Sequence, residues 1–331
     1  MNKRTLLLGF SLFLILILAL IMWRQYQGFG IQPLANKAAF EIHIVKGSTA
    51  QSLLRQFAEQ QLIVDVHWTK LWLKLNPHLA SIKAGYYEIS PQQSLVDTLQ
   101  MMVAGKEKHF AIALVEGLTW RQWWQIMQQH EALDTLNTDI NSIIVELNIE
   151  GGSLEGWLMP DTYQITQGTS AKELILQAYQ NMQSYLEKAW EQRQPLLPYQ
   201  EPYEALIMAS IIEKETAVSA ERPLIAGVFV NRLNTNMRLQ TDPTVIYGMG
   251  ESFNGNIKRA DLRRPTPYNT YVIKGLPPTP IAMPGKLAID AALHPQDTAA
   301  LYFVARGDGS HQFSETLKQH NAAVRQYQLN R

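Results

Sequence analysis

The sequence predicts an α+β protein carried on one N-terminal membrane helix, with a small mixed module followed by a larger, mostly helical region with a few strands. Three observations predict it. An apolar run follows two basic residues at the N-terminus, a strand–turn–helix pattern is used twice 70 residues apart, and capped amphipathic helices follow one another after Gly151.

The N-terminal run comes first. Lys3 and Arg4 precede Leu6 to Trp23, which is apolar apart from Gly9 and Ser11. At about 18 residues it lies at the lower end of what crosses a hydrocarbon core of about 30 Å. The exit, Ile21-Met22-Trp23-Arg24-Gln25, contains no small-x-small cleavage site, and Trp23 suits an interfacial anchor. Residues 1–25 are therefore read as a cytoplasmic tip and an uncleaved single-pass anchor in the cytoplasmic membrane, a buried core helix being the alternative. The terminal amine, Lys3 and Arg4 set against Arg24 and Lys37 place the N-terminus inside and the rest of the chain outside. No second span follows.

Residues 26–37, with Gly28, Gly30 and Pro33, read as a linker. Phe40, Ile42 and Ile44 alternate with Glu41 and His43, which is strand period. Gly47 turns the chain, and Ser48 with Gln51 is expected to form a capping box for a helix through Leu53, Leu54 and Phe57. The pattern returns at Phe110, Ile112, Leu114, Val115, Gly117 and Thr119, which match Phe40, Ile42, Ile44, Val45, Gly47 and Thr49. Trp123 and Trp124 stand where Leu53 and Leu54 stood. Between the copies lie an expected helix from Val66 to Leu75, a strand Gly85 to Ile89, and a helix Leu95 to Val103 capped by Ser94 and closed by Gly105. Residues 38–106 form an α+β module whose strand–helix–helix–strand order resembles the glycan-binding LysM fold, and 107–150 hold the second unit and a connector.

From 151 to 331 the texture is that of one further domain. Ser170 and Glu173 cap a long amphipathic helix to about Arg193, which Pro195 and Pro198 end. Pro202 opens a helix through Thr216, Ser219 is expected to cap another through Leu233, and Asp242-Pro243 starts a short helix to Tyr247. Thr266 to Gly285 is a proline-rich loop of the kind that carries function. Ala288 to Leu293 reads as helix, Tyr302 to Ala305 as strand, and Glu315 to Tyr327 as a closing helix.

Composition excludes several classes. Of the 331 residues 29 are basic and 29 acidic, so no concentrated positive surface points to nucleic acid. With no cysteine there is no disulfide framework, thiolate catalyst or cysteine-held zinc. Nucleotide-binding glycine loops, His-Glu-x-x-His and Gly-x-Ser-x-Gly are missing. His294 and His311 read as structural or solvated, not as metal ligands, and no metal or cofactor is expected. The remaining chemistry is carboxylate: Glu155, Asp161, Glu213, Glu215, Glu221 and Asp242. Glu213 and Glu215 sit about 200° apart around a helix, so one cleft can take only one of them. Either could be a solvated helix end or a general acid pushed up by burial. Asp242 could be an N-cap and Asp161 turn chemistry. Gln240, Tyr268, Asn269, Thr270 and Tyr271 supply amides, hydroxyls and flat rings suited to sugars and equally to loop packing.

Six segments then occur in one order: Ala209-Ser-Ile-Ile-Glu-Lys-Glu-Thr216, Val228-Phe-Val-Asn-Arg-Leu233, Leu239-Gln-Thr-Asp-Pro-Thr-Val-Ile-Tyr-Gly248, Tyr268-Asn-Thr-Tyr271, Gly275-Leu-Pro-Pro278 and Ala292-Leu-His-Pro295. Together they closely resemble the membrane-bound endolytic murein transglycosylases, the MltG/YceG-like proteins, and Glu155 to Tyr163 matches that family's Glu-Gly-x-x-x-Pro-Asp-Thr-Tyr segment. Thr279 stands where the family often has glycine, and Met283 where it often has a polar residue.

The resemblance implies cleavage of the β-1,4 bond between N-acetylmuramic acid and N-acetylglucosamine in nascent peptidoglycan. It implies 1,6-anhydro ends, a role in ending glycan elongation, and peptidoglycan synthases as partners. It assigns Glu215 as the catalytic acid and then base, with Glu213 as fallback. Gln240, Asp242, Tyr247, Asn269, Thr270 and Tyr271 are expected to hold the sugars, with Glu155, Asp161 and Asn231 in support. A muramidase using Asp242 or Glu221 as second carboxylate, and a non-catalytic glycan-binding scaffold, are the alternatives.

Overall fold

The structure, a computed structural model, describes residues 3–63 and 69–329. They divide into two compact units, one reaching Phe110 and including Ile165–Gln167, the other holding Ala111–Gln164 and the chain from Gly168 onward.

The first unit contains α1 (Lys3–Ile31), β1 (Phe40–Ile44), α2 (Ala50–Glu59), α3 (Thr69–Leu75), β2 (Gly85–Ile89) and α4 (Leu95–Ala104). β1 and β2 pair antiparallel, Phe40 opposite Ile89 and Ile44 opposite Gly85. Two strands cannot stand alone in water. Ile42, Ile44, Tyr87 and Ile89 are therefore covered by Leu53, Leu54 and Phe57 of α2, Trp72 of α3, and Leu95, Leu99 and Met102 of α4. Ser94 accepts from the Asp97 amide and Gly105 closes α4 at φ 71°, as the sequence predicts. Val66, the expected start of α3, lies outside the described residues.

Two expectations shift here. The capping box of α2 is Thr49 with Ser52, one residue after Ser48 and Gln51, because Thr49 still has extended backbone and so occupies the half-in position. The segment expected as a linker begins as helix: α1 continues through Gly28 and Gly30 to Ile31. Tertiary packing overrides the low helix propensity of glycine here. Phe29 and Leu34 are buried in the first core. A Cβ on Gly30 would lie 2.5 Å from the Trp72 ring, so only glycine lets that ring meet the helix backbone. Tyr26 accepts from Asn76 Nδ2 at 3.1 Å. Gly9–Ile31 is the one stretch among the described residues long and apolar enough to cross a membrane.

The second unit holds β3 (His109–Leu114, from Ala111), α5 (Trp120–Gln129), β4 (Leu133–Asp134), α6 (Ile140–Glu146), β5 (Asp161–Thr166, to Gln164), β6 (Thr169–Ser170), α7 (Ala171–Glu191) and α8 (Pro202–Glu215). It continues with α9 (Arg222–Asn234), α10 (Asp242–Met249), α11 (Lys286–Leu293), β7 (Tyr302–Ala305), β8 (His311–Ser314) and α12 (Leu317–Val324). The repeat is structural. Gly117 (φ 76°) turns the chain as Gly47 (φ 93°) does, Thr119 makes a capping box with Gln122, and α5 matches α2 at ten residues. Trp123 is fully buried and donates to the Val115 carbonyl at 2.9 Å.

α8 is buried on every side from Ala205 to Ile212, all apolar but Ser210, whose hydroxyl donates to the Ile207 carbonyl, and this is the signature of a helix enclosed by others. α7, α9 and α11 enclose it, and Ala288, Ala291 and Ala292 let α11 approach closely. Ser219 does not cap α9. Ser219–Glu221 is a 3₁₀ turn leading into Arg222, whose following proline pre-sets the first turn. α12 begins at Leu317, after Thr316 and Gln319 form its capping box, and runs on into a π-helical stretch, Arg325–Leu329. The proline-rich loop through Gly285 folds without helix or strand from Arg264 onward.

Candidate active site

α8 delivers Glu213 and Glu215 into different surroundings. Glu213 is buried: Arg222 Nη2 donates to its Oε1 at 2.6 Å and the Gly285 amide to its Oε2 at 2.9 Å. Desolvation raises its pKa, and the Gly285 bond and the Arg222 charge oppose the rise. Both oxygens are committed, so Glu213 ties the end of α8 to α9 and to the start of α11.

Glu215 is the last helical residue and opens onto a cleft of about 460 Å³. Arg232, Gln240, Asp242, Tyr271, Tyr302 and His311 are among its lining residues. The Thr241 hydroxyl donates to Glu215 Oε1. Burial pushes the Glu215 carboxyl up to about 7; Asp242 adds to the rise, while the Thr241 bond, His311 and Arg232 oppose it. Such a group still carries its proton close to neutrality and can give it away.

The expected binding residues separate into a wall and its frame. Gln240, Asp242 and Tyr271 line the cleft. Gln240 has φ 51°, a left-handed backbone uncommon outside glycine, held by a bond from its amide to the Thr270 carbonyl at 3.2 Å. Asp242 is the first residue of α10 after the Thr241 cap position, and its Oδ1 accepts from the Tyr271 hydroxyl at 2.6 Å. Asn269 and Thr270 are buried instead of facing the cleft. Asn269 holds the Asp261 and Arg264 carbonyls and accepts from the Tyr271 amide; the Thr270 hydroxyl accepts from the Thr241 amide at 3.0 Å and meets Thr244 at 2.8 Å. They fix the segment that carries Gln240, Thr241 and Asp242.

Tyr247 also turns away from the cleft. Its hydroxyl donates to Glu155 at 3.2 Å, and its ring packs on Tyr268 at 4.9 Å. Glu155 is buried, accepts from the Trp120 amide at 2.9 Å, and is likewise pushed to about 7 by desolvation, against the Trp120 and Tyr247 bonds and the Lys214 charge. Titration alone does not separate Glu155 from Glu215. Geometry does, because both Glu155 oxygens are engaged and it lines none of the described cavities. Asn231 is a brace, its amide donating to the Thr298 and Ala300 carbonyls. Asp161 is exposed, accepts from the Thr162 amide and stays away from the Glu215 cleft. Thr279 and Met283 serve the frame too: Thr279 bonds the Tyr268 hydroxyl at 2.8 Å, and the Met283 backbone bonds Gly117 and Leu118.

Sequence reasoning missed Thr241, Arg232 and His311. Arg232, a charge inside the apolar run of α9, was the one local signal: its guanidinium binds the Leu301, Arg238 and Leu239 carbonyls beside the cleft. His311 pairs with Glu221 at 2.7 Å. Among the described residues no group of three or more His, Asp or Glu is placed to hold a metal. A larger cavity of about 560 Å³ lies beyond α12, but its only carboxylate is the exposed Glu315.

A carboxyl titrating near neutrality, beside hydroxyls, an amide and aromatic rings in an open cleft, equips an acid/base enzyme for a polar substrate. Residues 42–326 match the YceG-like family, and the chain belongs to that family. It is 32% identical over 316 residues to a Bacillus subtilis protein named endolytic murein transglycosylase, covering 88% of this chain and 86% of that one. A Streptococcus pneumoniae protein of the same name is 28% identical over 313 residues, covering 82% of this chain and 55% of its own length. A 2.6 Å crystal structure of a yceG-like protein from Listeria monocytogenes matches with TM-score 0.53 and 31% identity, covering 87% of this chain and 99% of that one.

Proposed function

We propose that this chain is an endolytic lytic transglycosylase of peptidoglycan, cutting the β-1,4 bond between N-acetylmuramic acid and N-acetylglucosamine and leaving 1,6-anhydro ends. The observation that carries this reading is Glu215, a carboxyl pushed up to about 7 in a cleft walled by Gln240, Asp242 and Tyr271. The names of the relatives agree with it. Glycosidases that use water or a covalent intermediate need two carboxyl groups. Attack by the sugar's own 6-hydroxyl needs no external nucleophile and gains from intramolecular proximity. At its minimum, Glu215 protonates the glycosidic oxygen and its carboxylate then takes the 6-hydroxyl proton.

The N-terminal helix, long and apolar enough to span a membrane, would hold the enzyme beside nascent strands, with its N-terminus inside and the rest outside. In this reading the strand–helix–helix–strand module is a LysM-like glycan-binding element, and cleavage ends elongation near the synthases.

Asp242 lines the same cleft, which favours one rival, a muramidase using water. Muropeptide mass spectrometry on purified uncrosslinked glycan tests both readings, with wild type beside Glu215→Gln. Anhydro ends are expected from wild type and none from the variant. Reducing ends would establish the hydrolase, and full cleavage by the variant would displace Glu215.

A further inference from the structure

One polar pair at this cleft, His311 in its lining and Glu221 behind it, has no part in the transglycosylase scheme above. The chain leaves Glu215, turns through 216–218 and enters the 3₁₀ turn Ser219–Glu221. Glu221 there grips the first residue of β8 twice: its Oε1 accepts from the His311 amide at 2.9 Å and its Oε2 meets His311 Nδ1 at 2.7 Å. Both side chains are largely buried, 11% exposed for His311 and 16% for Glu221. A carboxylate only accepts, so Nδ1 carries a hydrogen, and Nε2 is the ring nitrogen available to a substrate. Phe303 packs edge-on against the imidazole at 5.4 Å, fixing its plane. His311 lines the cleft that Glu215 lines.

A carboxylate that orients an imidazole by one nitrogen and leaves the other toward the reacting groups is the arrangement of an oriented general base. We infer that His311 is a second catalytic residue of this cleft, taking the proton of the attacking sugar hydroxyl, and that Glu221 is its positioning residue. The inference rests on the transglycosylase reading and divides its two proton transfers between two groups. Glu215 gives its proton to the glycosidic oxygen as the C1–O bond breaks, and the leaving sugar departs with a free 4-hydroxyl. O6 bonds to C1 and its proton passes to His311 Nε2. The imidazolium formed lies against the Glu221 carboxylate. Solvent then takes that proton and returns one to Glu215, so the cycle closes with no other reagent.

Asp242 is the competing base, and one of its oxygens already receives the Tyr271 hydroxyl at 2.6 Å. Among the described residues the other charged or titratable side chains lining this cleft are Arg232, bound to backbone carbonyls, His320, stacked on Tyr302 at 5.2 Å, and the phenols Tyr271 and Tyr302.

The test is the kcat–pH profile of the full chain in detergent on uncrosslinked glycan, for wild type, His311→Gln, Glu221→Gln, Asp242→Asn and Glu215→Gln. His311→Gln is expected to lower kcat by about 100-fold or more, to change KM little, and to remove the acid limb of the profile. Glu221→Gln, which keeps an acceptor for Nδ1, is expected to lose about tenfold and to move the acid limb. If His311→Gln fails to fold, the limb shift in Glu221→Gln and rescue of His311→Ala by added imidazole decide. A loss of rate with the acid limb in place makes the pair a structural staple and overturns the inference. So does an acid limb abolished by Asp242→Asn alone. Full cleavage by Glu215→Gln brings down the underlying reading, whereas an inactive Glu215→Gln beside an unaffected His311→Gln brings down only this inference.

Discussion

Replacing Glu215 with glutamine should abolish cleavage and, at the same time, stabilise the fold. Folded Glu215 titrates near 7 because burial disfavours its charge, while the unfolded chain titrates it near 4.5. Between those values the unfolded state binds fewer protons, so stability present below about pH 4.5 is lost as pH rises to about 7. At about 1.4 kcal/mol per pH unit the loss is about 3 kcal/mol, and water at the cleft mouth trims it to about 2–3 kcal/mol. Glutamine never takes the charge and keeps an oxygen for the Thr241 hydroxyl. Urea unfolding of both full chains in detergent, followed by tryptophan fluorescence, should show the variant ahead by about 2–3 kcal/mol at pH 8. The gap should close towards pH 4.5. Equal stability at pH 8, or a gap that widens on acidification, would refute the argument.

Glu213, two residues away, should behave in the opposite sense. Glu213→Gln leaves the Arg222 guanidinium buried without its counter-charge, and urea midpoints should show a loss of about 3–5 kcal/mol; a gain would mean that Arg222 finds another anion. kcat/KM should fall about tenfold per pH unit above about pH 7 as the Glu215 proton is lost, and a rate still climbing at pH 8 would exclude Glu215 as the acid. Removing residues 1–25 should release the chain from membranes with its first unit intact. Removing residues 1–34 should also strip Phe29 and Leu34 from that core and weaken it by about 3–6 kcal/mol. Hydrogen exchange of residues 40–63 and 69–104 distinguishes the two truncations, and equal protection in both would contradict the docking of α1.

Elements announced by periodicity and caps were legible in the sequence. β1, β2, α4 and α7 carry their alternation or their Ser-Glu and Ser-Gly punctuation openly. β4 and β6 are two residues each, too short for any period, and β5 is polar at four of its six positions. Gly28 and Gly30, expected in a linker and found in helix, show the limit clearly. Locally those glycines break a helix, and it is Trp72 and Val96, more than 40 residues on, that make Gly30 necessary.

By itself, the sequence determined the apolar N-terminal helix, the strand–turn–helix unit used twice and the Glu-Lys-Glu trio at the end of an apolar helix. These are properties of neighbours along the chain, set by periods of 2 and 3.6 residues and by end-capping. Helical spacing also required that Glu213 and Glu215 point apart. Tertiary structure decided which of them faces the cleft, because Arg222, Gly285 and Thr241 reach α8 from 9, 72 and 26 residues away. It likewise placed Asn269, Thr270 and Tyr247 in the frame, and brought His311 to Glu221 across 90 residues. Burial and charge depend on what closes around a side chain in space, and that is what lifts the Glu215 carboxyl towards neutrality.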